Sequence, residues 1–304
     1  MRFSGEAERF MRPGGDRLVA LGSILSGFGL RYSVVKLDEG RHLLLRVGKA
    51  APALVLVAHY DRAPGSAGAL DNSCACLQLA SLAARLSSRR AEERREGGPG
   101  PSLLIAFTDA EEAPGSGLAS SQGSFALARA LAGKASAPGA AEEGLAALVL
   151  DVTGRGGRLL YSTAPSALLA RNGLEGKPVA AGYRALVAFA SKAAARAGLA
   201  PPLGAELPWS DDLGLTLGGL PALALSLLPE AELPLLAAGK KPPTWRVLHT
   251  ADDRPELAEE GAFDTMAAFL DAVADCLREA KGSPALGPAR RDGPRACPKP
   301  PNSL

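Results

Sequence analysis

Residues 53–61 read Ala-Leu-Val-Leu-Val-Ala-His-Tyr-Asp. An unbroken apolar run of strand length is the pattern of a strand covered on both faces, and this one stops abruptly on His59-Tyr60-Asp61. Two later stretches repeat the design. SLLIAF at 102–107 leads into Thr108-Asp109-Ala110-Glu111-Glu112, and LAALVL at 145–150 leads into Asp151. ALALSLL at 222–228 is a further strand candidate. If these strands are parallel neighbours, their carboxyl ends gather imidazole and acid groups at one edge of the sheet, where open α/β sheets place functional groups.

Working outward, residues 31–37 and 42–47 read as a hairpin joined around Gly40, and helical periods fill the gaps. The segment 73–86 opens with the capping residues Asp71, Asn72 and Ser73. The segment 183–196 sets Leu186, Phe189, Ala190 and Ala193 on one face. The segment 256–279 does the same with Phe263, Met266, Leu270, Val273 and Leu277. Strands alternating with helices predict an α/β fold: a single domain over 1–280, with a mostly parallel mixed sheet sandwiched between α-helices. The charged stretch 87–101, ending Gly-Gly-Pro-Gly-Pro, reads as a solvated loop, and the Pro- and Arg-rich tail 281–304 as disordered.

Composition narrows the function classes. With 304 residues, 47% of them hydrophobic, the chain can bury a large core. Lys and Arg number 34 against 32 Asp and Glu, so charge gives no reason to expect nucleic acid or an anionic membrane as partner. Cys74, Cys76, Cys276 and Cys297 make no disulfide framework; the close pair Cys74 and Cys76 reads as small core residues on a helix. The apolar segment 18–30 lacks a basic leader, since Glu6, Glu8 and Asp16 precede or flank it, and it is too short to span a bilayer. It reads as an amphipathic first helix of a cytoplasmic protein.

Of the three histidines, His59 ends a strand and His249 sits in Val247-Leu248-His249-Thr250; His42 has no acidic company and reads as a surface or hairpin residue. Carboxylates gathered in a cleft cannot all stay ionised without a cation, so either several are protonated or a metal neutralises them. Asp, Glu and His together suit zinc. Each residue also has a plainer reading. Asp71 and Asn72 would serve as helix caps, Glu111-Glu112 as an exposed acidic loop, Asp151 as a strand-to-turn residue, and Ser210-Asp211-Asp212 as a helix start.

Taken in order, the motifs resemble those of the zinc aminopeptidases of the bacterial leucyl aminopeptidase type, a superfamily that includes the glutaminyl cyclases. They are His59-x-Asp61, Gly68-Ala69-Leu70-Asp71-Asn72, Glu111-Glu112 with Gly117-Leu118-x-Ser120, and Asp151 at a strand end. Ser210-Asp211 with Gly219-Leu220-Pro221-Ala222 and the closing His249-Thr250-x-x-Asp253 complete the set. The resemblance implies two zinc ions bridged by Asp71, with His59 and Asp151 completing one site and Glu112 and His249 the other. A single ion is implied if the chain is cyclase-like, and a non-catalytic relative of the fold is the remaining alternative. It further implies Glu111 as general base to a zinc-polarised water, Asp61 orienting His59, a cis Asp71–Asn72 peptide, and peptides with a free N-terminus as substrates. Departures from the family pattern fall at Asp212, Ala75, Ser121 and Ala113-Pro114.

Overall fold

The structure, a computed structural model, describes residues 5–11, 14–38, 40–96, 102–112, 118–135 and 144–280. The apolar runs form the middle of an eight-stranded sheet: β1 (Ser33–Leu37), β2 (Gly40–Val47), β3 (Leu54–His59), β4 (Leu103–Thr108), β5 (Ala146–Leu150), β6 (Arg158–Ser162), β7 (Leu203–Ala205) and β8 (Ala222–Leu228). Their order across the sheet is β1-β2-β4-β3-β5-β8-β6-β7. The central four, β4, β3, β5 and β8, are mutually parallel, and β2 and β6 flank them antiparallel. Every residue of those four strands is buried, as their continuous apolar runs require.

Alternation along each strand divides the core in two. One face carries Leu54, Leu56, Ala58, Ile105, Phe107, Leu148 and Leu223, and is covered by four helices: α2 (Arg17–Gly27), α3 (Cys74–Glu96), α6 (Pro178–Arg196) and α10 (Glu260–Ala280). The opposite face carries the smaller Val55, Val57, Ala106, Ala147 and Ala224 under α4 (Gly123–Ala135) and α7 (Asp211–Leu217). The remaining helices are short: α1 (Gly5–Met11), α5 (Ala164–Arg171), α8 (Leu233–Ala237) and α9 (Pro243–Arg246). Gly218, capping the end of α7, lets it approach α4 closely; a Cβ there would stand 2.6 Å from that of Ala128 in α4. No helix among the described residues is long and apolar enough to cross a membrane.

The α/β class, the parallel neighbours and the hairpin at Gly40 match the expectations from sequence, and Cys74 and Cys76 are buried on α3. Two expectations are corrected. The segment 87–96 is not loop: α3 continues to Glu96, because nothing between Ser87 and Glu96 breaks a helix and the breakers begin at Gly97. The rest of that segment, and the tail 281–304, lie outside the described residues. His42 is not at the surface. β2 is an interior strand, and the ring is fully buried, its Nδ1 accepting the Asp109 N–H at 3.3 Å. Burial lowers its pKa, partly offset by Asp109. The edge strand β7 and its neighbour β6 were not read from sequence: β7 has three residues behind two prolines, and β6 has five between the glycine-rich turn 154–157 and the start of α5.

Candidate metal centre

His59 is the last residue of β3, and its neighbour Tyr60 still donates to Thr108 O of β4 at 2.8 Å. The strand therefore fixes the imidazole at the carboxyl edge, fully buried. Its Nε2 lies 3.0 Å from Asp71 Oδ1 and 3.6 Å from Asp151 Oδ1, and Nδ1 lies 3.4 Å from Asp61 Oδ1. Asp151 arrives at the end of β5, the next strand along.

Asp71 comes from the irregular turn Ala69–Ser73 that precedes α3. Gly68 opens this turn with φ 61, and a side chain there would collide with Asp71 O at 2.7 Å, so the turn needs glycine. The Asp71–Asn72 peptide is cis. Asp253 accepts the N–H groups of Leu70 at 2.7 Å and Asp71 at 3.2 Å, while Asn72 Nδ2 donates to Leu150 O at 2.8 Å. The turn is thus tied both to the His249–Asp253 segment and to the end of β5.

Asp71 Oδ2, the oxygen not facing His59, lies 3.0 Å from His249 Nε2, which is also 2.9 Å from Glu112 Oε1. His249 stands in a loop above Trp245, Leu248 and Ala258, members of a separate apolar cluster, and its own side chain is 60% exposed. Glu112 is placed by a sharp turn after β4. Ala110 adopts φ 62, Glu111 and Glu112 diverge, and the Glu112 N–H donates to Asp61 Oδ2 at 2.8 Å. Asp61 therefore connects the His59 ring to the backbone carrying Glu112. Ala110, Val152 and His249 account for three of the four non-glycine residues with positive φ among the described residues. All three are at or next to site residues, where such strain tends to collect.

Glu111 points elsewhere. It is buried, and its Oε1 accepts from Gln122 Nε2 at 3.1 Å. Gln122 also donates to Ser210 O at 3.3 Å and accepts the Gly214 N–H at 3.0 Å, joining Glu111 to α7. Gln122 was missed from sequence; a lone amide in a loop has no periodicity or charge to mark it. Ser210-Asp211-Asp212 starts α7, yet both carboxylates are buried. Asp211 accepts the Thr108 hydroxyl and Asp212 the Ala224 N–H at 3.3 Å.

All five residues expected to bind metal therefore meet, in two groups sharing Asp71. Electrostatics follow from that crowding. Burial pushes Glu111, Glu112 and Asp151 above the usual carboxylate range. Asp71 goes the other way: burial opposes ionisation, but contacts with His249 and His59 hold it down. Burial disfavours a charge on His59, yet Asp151, Asp61 and Asp71 keep the imidazole protonated well above its ordinary value. Asp71 and then Glu112 push His249 up to about 10. Both imidazoles thus face carboxylates that favour their protonated form.

These residues fit divalent metal. Two ligands each about 2.0–2.2 Å from a tetrahedral ion stand about 3.3–3.6 Å apart, close to the 2.9–3.6 Å separations here. One ligand atom each of His59, Asp71 and Glu112 falls within 4.8 Å of the others. Both nitrogens of His59, with Asp61 Oδ1 and Asp151 Oδ1, are buried without a well-formed hydrogen bond. Beside His249 opens a cavity of about 680 Å³ lined by Leu207, Leu233, Leu236, Trp245 and Leu248, a size ordinary for small-ligand pockets.

Solved structures share this fold. A leucine aminopeptidase precursor from Bacteroides thetaiotaomicron superposes with a TM-score of 0.59 at 16% identity, covering 88% of this chain and 92% of that one. A glutaminyl cyclase from the same organism, bound to N-acetylhistamine, gives 0.59 at 17%, covering 88% and 93%. A Zn-dependent exopeptidase from Parabacteroides distasonis gives 0.60 at 16%, covering 89% and 95%. Among curated proteins, none matches the chain closely enough to count as a relative. The family model for Peptidase family M28 matches residues 43–274, from β2 through most of α10 and across every ligand-bearing strand end, and the chain belongs to that family.

Proposed function

We propose that this chain is a zinc-dependent aminopeptidase that uses two ions to remove N-terminal residues from peptides. The observation that carries this reading is the division of one carboxylate. Asp71 turns one oxygen to His59 and the other to His249, each at 3.0 Å, and each histidine has its own second carboxylate. His59, Asp151 and Asp71 would hold one ion; Glu112, His249 and Asp71 the other. Ions bound there would polarise the peptide carbonyl and bring the pKa of a water from 15.7 to about 7.

The chain's own residues do the rest. Glu111, outside both ligand groups, takes the proton from the attacking water and passes it to the leaving amine. Its raised pKa brings it nearer the value that suits such a shuttle. Gln122 holds one of its oxygens, leaving the other to act. The apolar cavity beside His249 takes a large apolar side chain of the first residue. Three buried free cysteines, Cys74, Cys76 and Cys276, suit a reducing compartment, and the proposal includes a cytoplasmic location.

One observation favours a second reading, a one-zinc glutaminyl cyclase in which an N-terminal glutamine closes on itself with loss of ammonia. A glutaminyl cyclase superposes on this chain as well as a leucine aminopeptidase precursor does, each with a TM-score of 0.59. Incubating the zinc-reconstituted protein with peptides beginning in Leu or Gln separates the two. Free leucine with two zincs per chain is expected. Ring closure with one zinc would establish the second reading, and an inert protein would sink both.

A further inference from the structure

Arg17, the first residue of α2, is 7% exposed and belongs to neither ligand group. We propose that Arg17 is a positioning residue for the metal centre, its guanidinium clamping the two ends of the chain segment that runs between His59 and Asp71. This deepens the metal-dependent reading above and rests on it. The Nε donates to Tyr60 O, the carbonyl between His59 and Asp61. The Nη2 donates to Ser73 Oγ at 3.0 Å, two residues past Asp71, and that hydroxyl in turn donates to Gly68 O. The Nη1 reaches Phe10 O at 2.9 Å and Ala67 O at 3.4 Å, and the Phe10 ring covers the guanidinium at 4.1 Å.

Every one of these acceptors is uncharged. Burying a cation among neutral oxygens is costly, and a methionine would fill the space without that cost. What methionine lacks is a rigid planar fork of donors able to fix several carbonyls at once; lysine, a point charge on a flexible stem, lacks it too. Burial lowers the Arg17 pKa only to about 10, so the cation persists at neutral pH; Cys76 and then the site residues Asp61 and Asp71 favour its charge, while Arg62 opposes it. The group therefore sets the His59–Asp71 spacing and helps balance the carboxylates of Asp61 and Asp71.

The test is zinc affinity, measured on metal-free full-length protein by competition with a chromophoric chelator, for the unaltered chain, Arg17→Lys, Arg17→Met and Ser73→Ala. Supporting groups behind metal ligands are typically worth 10–100-fold in affinity. Losses of roughly that size are expected for both Arg17 variants, with a smaller loss in Ser73→Ala. The rise in melting temperature on adding zinc should shrink as well. A role confined to folding would instead lower the melting temperatures with and without zinc in parallel and leave affinity untouched; that result overturns the proposal. If Arg17→Met does not fold, Arg17→Lys and Ser73→Ala decide alone, and unchanged affinity in both overturns it equally. An unaltered chain that takes up no zinc would defeat the metal reading itself, whereas zinc binding indifferent to Arg17 would defeat only this inference.

Discussion

The two halves of the candidate centre are built from different materials. His59 and Asp151 leave adjacent central strands and are buried, so hydrogen-bonded sheet holds them whether or not metal is present. His249 and Glu112 stand on turns, His249 with φ 61 and a side chain 60% exposed toward the apolar cavity. Asp71 couples the preformed half to the open one. The difference teaches that the sheet anchors one group of candidate ligands by hydrogen-bonded strands, while turns beside the apolar cavity carry the other.

The largest expected effect comes from breaking the coupling. Asp71→Asn removes the shared charge, so both halves should lose zinc. The fall in kcat/KM should exceed the roughly 10⁴-fold upper range for loss of a general base. Activity retained with a single ion would show that the halves work independently.

Glu111→Gln tests chemistry with both halves left standing. Zinc content should be unchanged while kcat falls by roughly 10²–10⁴-fold. The base must be ionised to accept a proton, and burial raises its pKa. Activity of the unaltered enzyme should therefore be full above that raised pKa and decline as pH falls through it, with the acid limb of kcat above the ordinary carboxylate value of about 4.3. A limb at the ordinary value would remove Glu111 from the role.

The smallest effect sharpens the comparison itself. In metal-free protein, His59→Ala leaves Asp151 buried without its cation and Asp71 with His249 alone, and breaking a buried pair in this way costs about 3–5 kcal/mol. His249→Ala removes a largely exposed partner and should cost about 1 kcal/mol or less. Urea denaturation of both variants checks this; equal losses would erase the distinction between anchored and open halves.

The anchored half was also the half most legible in the sequence. ALVLVA, SLLIAF and LAALVL declare themselves as buried strands, and the polar residue that ends such a run must emerge at the sheet edge, which locates His59 and Asp151. The loop half was placed by likeness of motif, since nothing in the periodicity around Val247–Thr250 says that His249 folds back onto Asp71. Groups acting through geometry alone stayed hidden. Gln122 and Arg17 look like ordinary solvated residues until tertiary contacts bury them, and the reading of His42 as a surface or hairpin residue holds for the hairpin but not for the surface, because the β2–β4 pairing that encloses it is long-range. The short strands β6 and β7 escaped because so few residues carry little pattern.

The most direct test of the shared carboxylate is anomalous diffraction at the zinc edge from crystals of the zinc-loaded protein. Two peaks are expected, one touching Asp71, His59 and Asp151, the other touching Asp71, Glu112 and His249. A single peak on one side of Asp71, or none at that residue, would contradict the account.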